Sequence, residues 1–300
     1  MKRETAVLRN YAGRYGVSAD YCLVHEFLVE CQNEAYSYAR FDWMITHRPY
    51  LQEQFLNRIG LWEAEGKVVA ADLYDTSLDD IFVLTLPGYE FLYEEMIAYA
   101  SEHMVNEENP DFRLFIDDHN KKLQQVATQM GYRATEDKDK TAKYDLTKKI
   151  PDSHMKEGFQ LVTLAKERDY DRYLHCLFLG FGHEERGEIY AFEEKDQKEA
   201  KSAYEREYVD LNLKVSVKTP DGSYAAHCGM WYDTDSKFSI IEPVCTDPHY
   251  RRLGLGKEAV LEGLRRVQAL GAEYALVGSD QQFYYSIGLE PYIEGTFWVR

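Results

Sequence analysis

The chain has 300 residues, a length that fits two domains at roughly 100–200 residues each. Hydrophobic residues make up 45% and aromatic residues 14%, which is enough to build cores and argues against a disordered chain. With 35 basic and 52 acidic residues the formal charge is −17, a balance that repels phosphate backbones, argues against a nucleic-acid or anionic-membrane binder and suits a small cationic substrate such as an amine.

The first ten residues lack the apolar core of a signal peptide. Apolar runs such as Ile81 to Leu86 fall far below the roughly 20 residues needed to span a bilayer. The five cysteines, Cys22, Cys31, Cys176, Cys228 and Cys245, are scattered and form no CxxC pair. That predicts reduced thiols in a cytoplasm and neither a metal site nor a disulfide framework.

Helical patterns come first, over Leu23–Gln32 and Pro49–Ile59. Gly66–Tyr74 and Ile81–Leu86 then read as strands, followed by a helix over Tyr89–His103 with apolar residues near 3.6 spacing. A strand over Phe112–Ile116, a helix from Asn120 to Met130 stopped by Gly131, and a strand over Thr141–Leu146 close the unit. The charged stretch that follows contains Pro151, where the domain boundary is expected. Helices over Asp169–Phe181 and Ala191–Tyr208 come next, the second largely polar between Glu193 and Glu207 and read as a solvated face. A hairpin pairs Leu211–Val217 with Tyr224–Tyr232 across Pro220, Asp221 and Gly222. Then come a strand over Phe238–Cys245, a helix over Gly256–Leu270 stopped by Gly271, a strand over Glu273–Val277, a short helix around Gln281–Ile287 and a last strand over Gly295–Arg300. The order hairpin, strand, helix, strand, helix, strand thus occurs twice, which predicts a duplicated α/β unit.

The chemistry concentrates in Val244-Cys-Thr-Asp-Pro-His-Tyr-Arg-Arg-Leu-Gly-Leu-Gly-Lys257. A strand ends, an arginine-bearing loop follows, and glycines open a helix. The first N–H groups of a helix lack internal partners and lie at its positive end. Gly254 and Gly256 are expected to let backbone approach a phosphate, with Arg251, Arg252 and Lys257 adding charge. Gly254-x-Gly256-x-x-Ala259 also matches a dinucleotide fingerprint with Asp280 downstream, but seven residues separate the glycine from its strand. A Walker A loop fails because no Ser or Thr follows Lys257.

At these residues the chain resembles the GNAT superfamily of N-acetyltransferases, whose acyl-CoA loop reads Arg/Gln-x-x-Gly-x-Gly/Ala. Arg251-Arg252-Leu253-Gly254-Leu255-Gly256 fits it, and Phe283-Tyr284-Tyr285-Ser286-Ile287-Gly288-Leu289 fits the family's later Phe-Tyr-x-x-x-Gly-Phe with Leu at the end. The resemblance covers roughly residues 158–300. It implies an α/β (α+β) fold of two tandem GNAT-like domains, each a mixed, mostly antiparallel twisted sheet flanked by helices, spanning 1–150 and 151–300. It further implies that the third and fourth core strands part and admit the pantetheine arm of acetyl-CoA. Val244, Cys245 and Thr246 would pair with that arm, residues 251–257 (Leu253 and Leu255 included) would cradle the pyrophosphate, and Ser279 and Tyr284 would complete the cofactor contacts.

The same resemblance makes Tyr284, four residues before Gly288, the acid that protonates the departing thiolate. Glu242 is the candidate base, since strict alternation would place it on one face with Val244 and Thr246. His227 is the alternate base. Cys245 is not read as a nucleophile, because no histidine is linked to it in sequence. The first half resembles the same fold with its cofactor site erased. Pro87-Gly88-Tyr89-Glu90 carries no basic residue and no second glycine, Glu90, Glu94 and Glu95 would repel pyrophosphate, and Ala127 stands where the tyrosine should be. The expectation is one acetyl-CoA site, no metal, and direct transfer to the primary amine of a small molecule by a monomer or homodimer. A non-catalytic acyl-CoA sensor or scaffold is the alternative.

Overall fold

The computed structural model describes residues 5–47, 51–76, 78–106 and 112–300. The elements run, in chain order, β1 (Val7–Asn10), α1 (Ala19–Cys31), α2 (Tyr38–Thr46), β2 (Gly60–Ala64), β3 (Lys67–Tyr74), β4 (Asp80–Thr85), α3 (Tyr93–His103), β5 (Arg113–Asp117), α4 (Lys121–Gln129) and β6 (Arg133–Asp145). They continue with β7 (Gln160–Thr163), α5 (Tyr170–Gly180), α6 (Glu194–Tyr204), β8 (Lys214–Lys218), β9 (Tyr224–Trp231), β10 (Phe238–Thr246), α7 (Leu255–Leu270), β11 (Tyr274–Val277), α8 (Gln282–Ile287) and β12 (Glu290–Val299). Among the described residues no helix is long and apolar enough to cross a membrane.

Two compact units result. The first is residues 1–141 with 291–300, and the second is residues 142–290. The structure therefore divides the chain after Thr141, where the sequence suggested Pro151, and it gives the last ten residues to the first unit. The ladders supply the physical reason. Gly295–Trp298 of β12 pairs antiparallel with Leu114–Asp117 of β5. Ala142–Asp145 at the end of β6 pairs antiparallel with Tyr274–Val277 of β11. Each unit is completed by a strand end that the chain order would have given to the other.

Within the first unit the strand order is β1-β2-β3-β4-β5-β12-β6, and within the second it is β6-β11-β10-β9-β8-β7. One pairing in each is parallel, β4 with β5 and β10 with β11. The strands adjoining them pair antiparallel, so the strands of each unit are mixed and mostly antiparallel. Local expectations shift at several ends. Of the stretch Pro49–Ile59, Pro49 and Tyr50 lie outside the described residues, and a 3-10 turn over Glu53–Arg58 replaces the helix. Leu211–Leu213 is a 3-10 turn and the strand begins at Lys214.

Helix α7 organises the second unit. It starts at Gly254 (φ 82°) and stops at Gly271 (φ 105°), both left-handed positions that favour glycine. Its Ala259, Val260, Leu264 and Val267 are buried with Cys228, Met230 and Ile241 of the sheet. At Gly263 the helix comes so near the sheet that a Cβ would lie 2.8 Å from Met230 Cγ. The other face of the same sheet packs Cys245 with Tyr173 and Cys176 of α5 and Tyr204 of α6.

Candidate active site

The site begins where two parallel strands part. β10 and β11 pair only from Phe238–Tyr274 to Ile240–Leu276. β10 then runs on to Thr246 in register with β9 alone among the described residues, while β11 ends at Val277. Backbone groups of β10 beyond Ile240 are thus left facing the gap, and unpaired backbone seeks partners.

A bulge marks the parting. Ile241 opposes Met230 and Val244 opposes Cys228, so Glu242 and Pro243 together face Gly229. Pro243 has no N–H to give a ladder, which suits it to a bulge. The Glu242 carbonyl accepts a hydrogen bond from Trp231 Nε1 at 2.9 Å. Gly229 is required because a Cβ there would lie 2.8 Å from Pro243 Cδ. The bulge also breaks the alternation. Ile241 and Val244 now pack on the same side, against the α7 cluster, so Glu242 is out of phase with Val244 and Thr246. Its residue is solvent-exposed. The carboxylate nevertheless stands near enough to Tyr284 to help hold that phenol protonated.

Tyr284 on α8 is 8% exposed. Burial raises its pKa, and Cys228, Glu242 and Cys245 push the same way. The phenol therefore keeps its proton throughout the neutral range. Ser279 Oγ accepts from the Gln281 N–H at 3.2 Å, which ties it to the start of α8.

The loop after β10 is built by its own side chains. Asp247 accepts from the His249 N–H and lies against His249 Nδ1, both at 2.9 Å, and holds the turn Pro248–Tyr250. Arg251 Nε donates to the Thr246 carbonyl at 3.4 Å and Nη2 donates to the Gly180 carbonyl at 3.3 Å. Arg251, Arg252 and Lys257 are exposed, and Arg252 takes a positive φ of 62°. Leu253 is half-buried and the Leu255 side chain is buried, so these leucines can offer a ligand little but backbone. Gly256 has a reason the sequence did not show: a Cβ would lie 2.6 Å from Thr246 Oγ1. The glycine lets helix and strand close on each other. The one acid in the first turn, Glu258, is 6% exposed and accepts from Ser153 Oγ at 2.6 Å and the His154 N–H at 3.1 Å. The helix start thus combines free first-turn N–H groups, three exposed cations and a carboxylate engaged elsewhere, a set suited to a phosphate.

Side chains of Val244 and Thr246 are half-buried, and Cys245 is 5% exposed with its sulfur toward α5. His227 faces Cys245 across the ladder, a neighbour that sequence spacing missed. It is fully buried, its Nδ1 is 2.9 Å from Ser216 Oγ, and its Nε2 has no partner among the described residues. Burial, then Lys214, lower its pKa to about 3, so it is neutral at working pH and a weak base. Lys214 itself was missed: it is buried, donates to the Met230 carbonyl at 2.9 Å and lies 3.5 Å from the Trp231 ring. A lysine alternating with Val215 and Ser216 gave no signal for burial.

The corresponding place in the first unit has the same parting strands. β4 and β5 pair only over Asp80–Phe82 and Arg113–Phe115, and β4 runs on to Thr85. Here Glu90 sits at the helix approach and accepts from the Gly88 N–H at 3.1 Å, with Lys122 Nζ at 3.3 Å. Burial raises its pKa, but the Gly88 and Glu90 N–H groups and Lys122 outweigh it and leave the carboxyl lowered. At the end of β4 Thr85 Oγ1 donates to the Tyr93 hydroxyl at 3.5 Å, and Asn120 Nδ2 donates to the same hydroxyl at 3.2 Å.

A family model for the acetyltransferase (GNAT) family matches residues 182–288, which lie wholly inside the second unit. The second unit thus resembles that family over most of its length. Over the whole chain, the fold is similar to a GCN5-related N-acetyltransferase from Sphaerobacter thermophilus at 15% identity, with a TM-score of 0.57, covering 98% of this chain and 94% of that one. It is similar also to a tandem GNAT protein from the clavulanic acid biosynthesis pathway, at 13% identity and a TM-score of 0.58, covering 98% of both. N-myristoyltransferase from Saccharomyces cerevisiae, solved with myristoyl-CoA, matches at 12% identity and a TM-score of 0.51 over 99% of this chain and 78% of that one. No curated protein matches the sequence. The chain therefore carries a tandem GNAT fold, an architecture that supports acyl-CoA-dependent acyl transfer.

Proposed function

We propose that the second GNAT unit transfers an acetyl group directly from acetyl-CoA to the primary amine of a small, cationic molecule in the cytoplasm, and that the first unit binds no acyl-CoA. The single observation that carries this is a conjunction. A helix start with exposed Arg251, Arg252 and Lys257 adjoins the stretch of β10 beyond its pairing with β11, and a proton-holding Tyr284 stands near the same strand. Residues 251–257 would hold the pyrophosphate and the backbone of Val244–Thr246 the pantetheine amides. Acetyl-CoA supplies an acyl group already activated as a thioester. The protein's own part is to move protons: Glu242 takes one from the acceptor ammonium, directly or through water, and Tyr284 Oη gives one to the departing thiolate. A raised phenol suits that task, because it holds its proton until a strong base appears beside it.

The test is release of free thiol from acetyl-CoA by the purified chain with a panel of primary amines, beside a titration of CoA binding. Thiol release with at least one amine and one CoA bound per chain are expected. Tight binding with no turnover on any amine would overturn transfer in favour of an acyl-CoA sensor or scaffold. Two CoA molecules per chain would overturn the silent first unit.

A further inference from the structure

Two cysteines far apart in sequence meet beside the site. Cys176 on α5 and Cys245 on β10 have sulfurs 3.6 Å apart, and the Cys245 thiol donates to the Cys176 carbonyl at 3.5 Å. They are 1% and 5% exposed. The packing around them has no slack. A Cβ at Gly180, four residues on from Cys176, would lie 3.1 Å from both Cys245 Sγ and the Thr246 nitrogen. The same Gly180 offers its carbonyl to Arg251. The end of α5, the thiol of Cys245 and the first cation of the loop therefore form one connected contact.

We propose that Cys176 and Cys245 are an oxidative modification site, converted by a hydroperoxide to a disulfide that ties α5 to β10. Cys245, the more exposed residue of the two, attacks the peroxide oxygen and becomes a sulfenic acid with loss of water (or alcohol, from an alkyl hydroperoxide). The Cys176 sulfur then displaces hydroxide from that sulfenic acid. The S–S bond forms, the Cys176 proton leaves with the hydroxide as a second water, and two thiols are oxidised as one peroxide is reduced. To bond, the sulfurs must close from 3.6 Å to about 2 Å. With Gly180 already against Cys245, that movement has to shift the end of α5 and the carbonyl that holds Arg251. Oxidation should therefore weaken anion binding at residues 251–257. This coupling rests on reading those residues as the acyl-CoA loop, whereas the disulfide itself does not.

The test treats the full-length folded chain with hydrogen peroxide, then alkylates, digests and maps linked peptides by mass, with CoA titrated before oxidation, after it, and after dithiothreitol. A Cys176–Cys245 link is expected, with a rise in CoA Kd on the order of fivefold that dithiothreitol reverses. Cys176→Ala should abolish both the link and the loss of affinity while leaving reduced-state turnover intact. Oxidation confined to Cys22 and Cys31 in the folded chain would overturn the site. A link without change in CoA affinity would overturn the coupling. A reduced chain that binds no CoA yet forms the link would overturn the function proposed above and leave the modification site standing.

Discussion

The two units part the same pair of parallel strands and then treat the opening in opposite ways. In the second, the helix start presents glycine backbone and three exposed cations, and its own acid, Glu258, is turned to Ser153 and His154. In the first, the chain supplies its own anion: Glu90 takes the Gly88 N–H and Lys122, and the Tyr93 hydroxyl takes Thr85 at the end of β4 and Asn120. Backbone topology thus parts two parallel strands in both units, and the side chains beside each opening differ. A shared fold does not carry a shared site.

The comparison breaks most sharply at Tyr284, the proposed proton donor. Tyr284→Phe should cut turnover by about 10²–10⁴-fold with CoA affinity changed by less than about twofold, measured by steady-state thiol release and by titration. Retained turnover would remove Tyr284 as the acid. Next comes the cation set. Arg251→Glu should raise the KM for acetyl-CoA by about 10–100-fold and flatten its dependence on salt, since a charge-assisted contact is replaced by repulsion.

Acid and base should unsettle the units in opposite directions. Asp72 of the first unit is fully buried, neither carboxyl oxygen has a partner among the described residues, and burial, then Glu95, raise its pKa well above the usual carboxylate range. The folded unit therefore holds a proton that the unfolded chain releases. The stability this confers is fully present below the unfolded pKa of about 3.9 and is lost as pH rises toward the raised folded value. His227 of the second unit has the reverse sign: with a folded pKa of about 3, its contribution is present above an unfolded value of about 6.5 and is lost as pH falls toward 3. Hydrogen exchange followed by peptide from pH 4 to 8 should show Asp72→Asn flattening the alkaline loss only in the first unit, and His227→Gln flattening the acid loss only in the second. The smallest effect belongs to Glu90→Gln. It should cost about 0.5–1 kcal/mol in denaturant unfolding of the first unit and leave CoA stoichiometry at one per chain.

Much of this could be read along the chain because it is local. The Arg251–Gly256 run, the stop at Gly288 and the tyrosine four residues before it are contiguous signals, and the structure places them at a helix start and beside it. Glu242 shows where such reading runs out. Strict alternation put it on one face with Val244 and Thr246, but Pro243 and Gly229 make a bulge that shifts the phase. Proline inside a strand is the local signal for such a bulge. Gly256 was read for a ligand, whereas it also lets α7 close on Thr246.

By itself the sequence determined the duplicated order of elements, the Arg251–Gly256 run in the second half and the different residues at the matching place in the first, since each is set by neighbouring residues and short-range backbone preference. Only the tertiary structure decided which strands complete which unit, which buried groups meet across the ladder, and that Cys176 lies against Cys245. A period of two says which face a residue takes but does not name the strand it will pair with. The exchange of β12 and the end of β6 therefore had to await the ladders themselves.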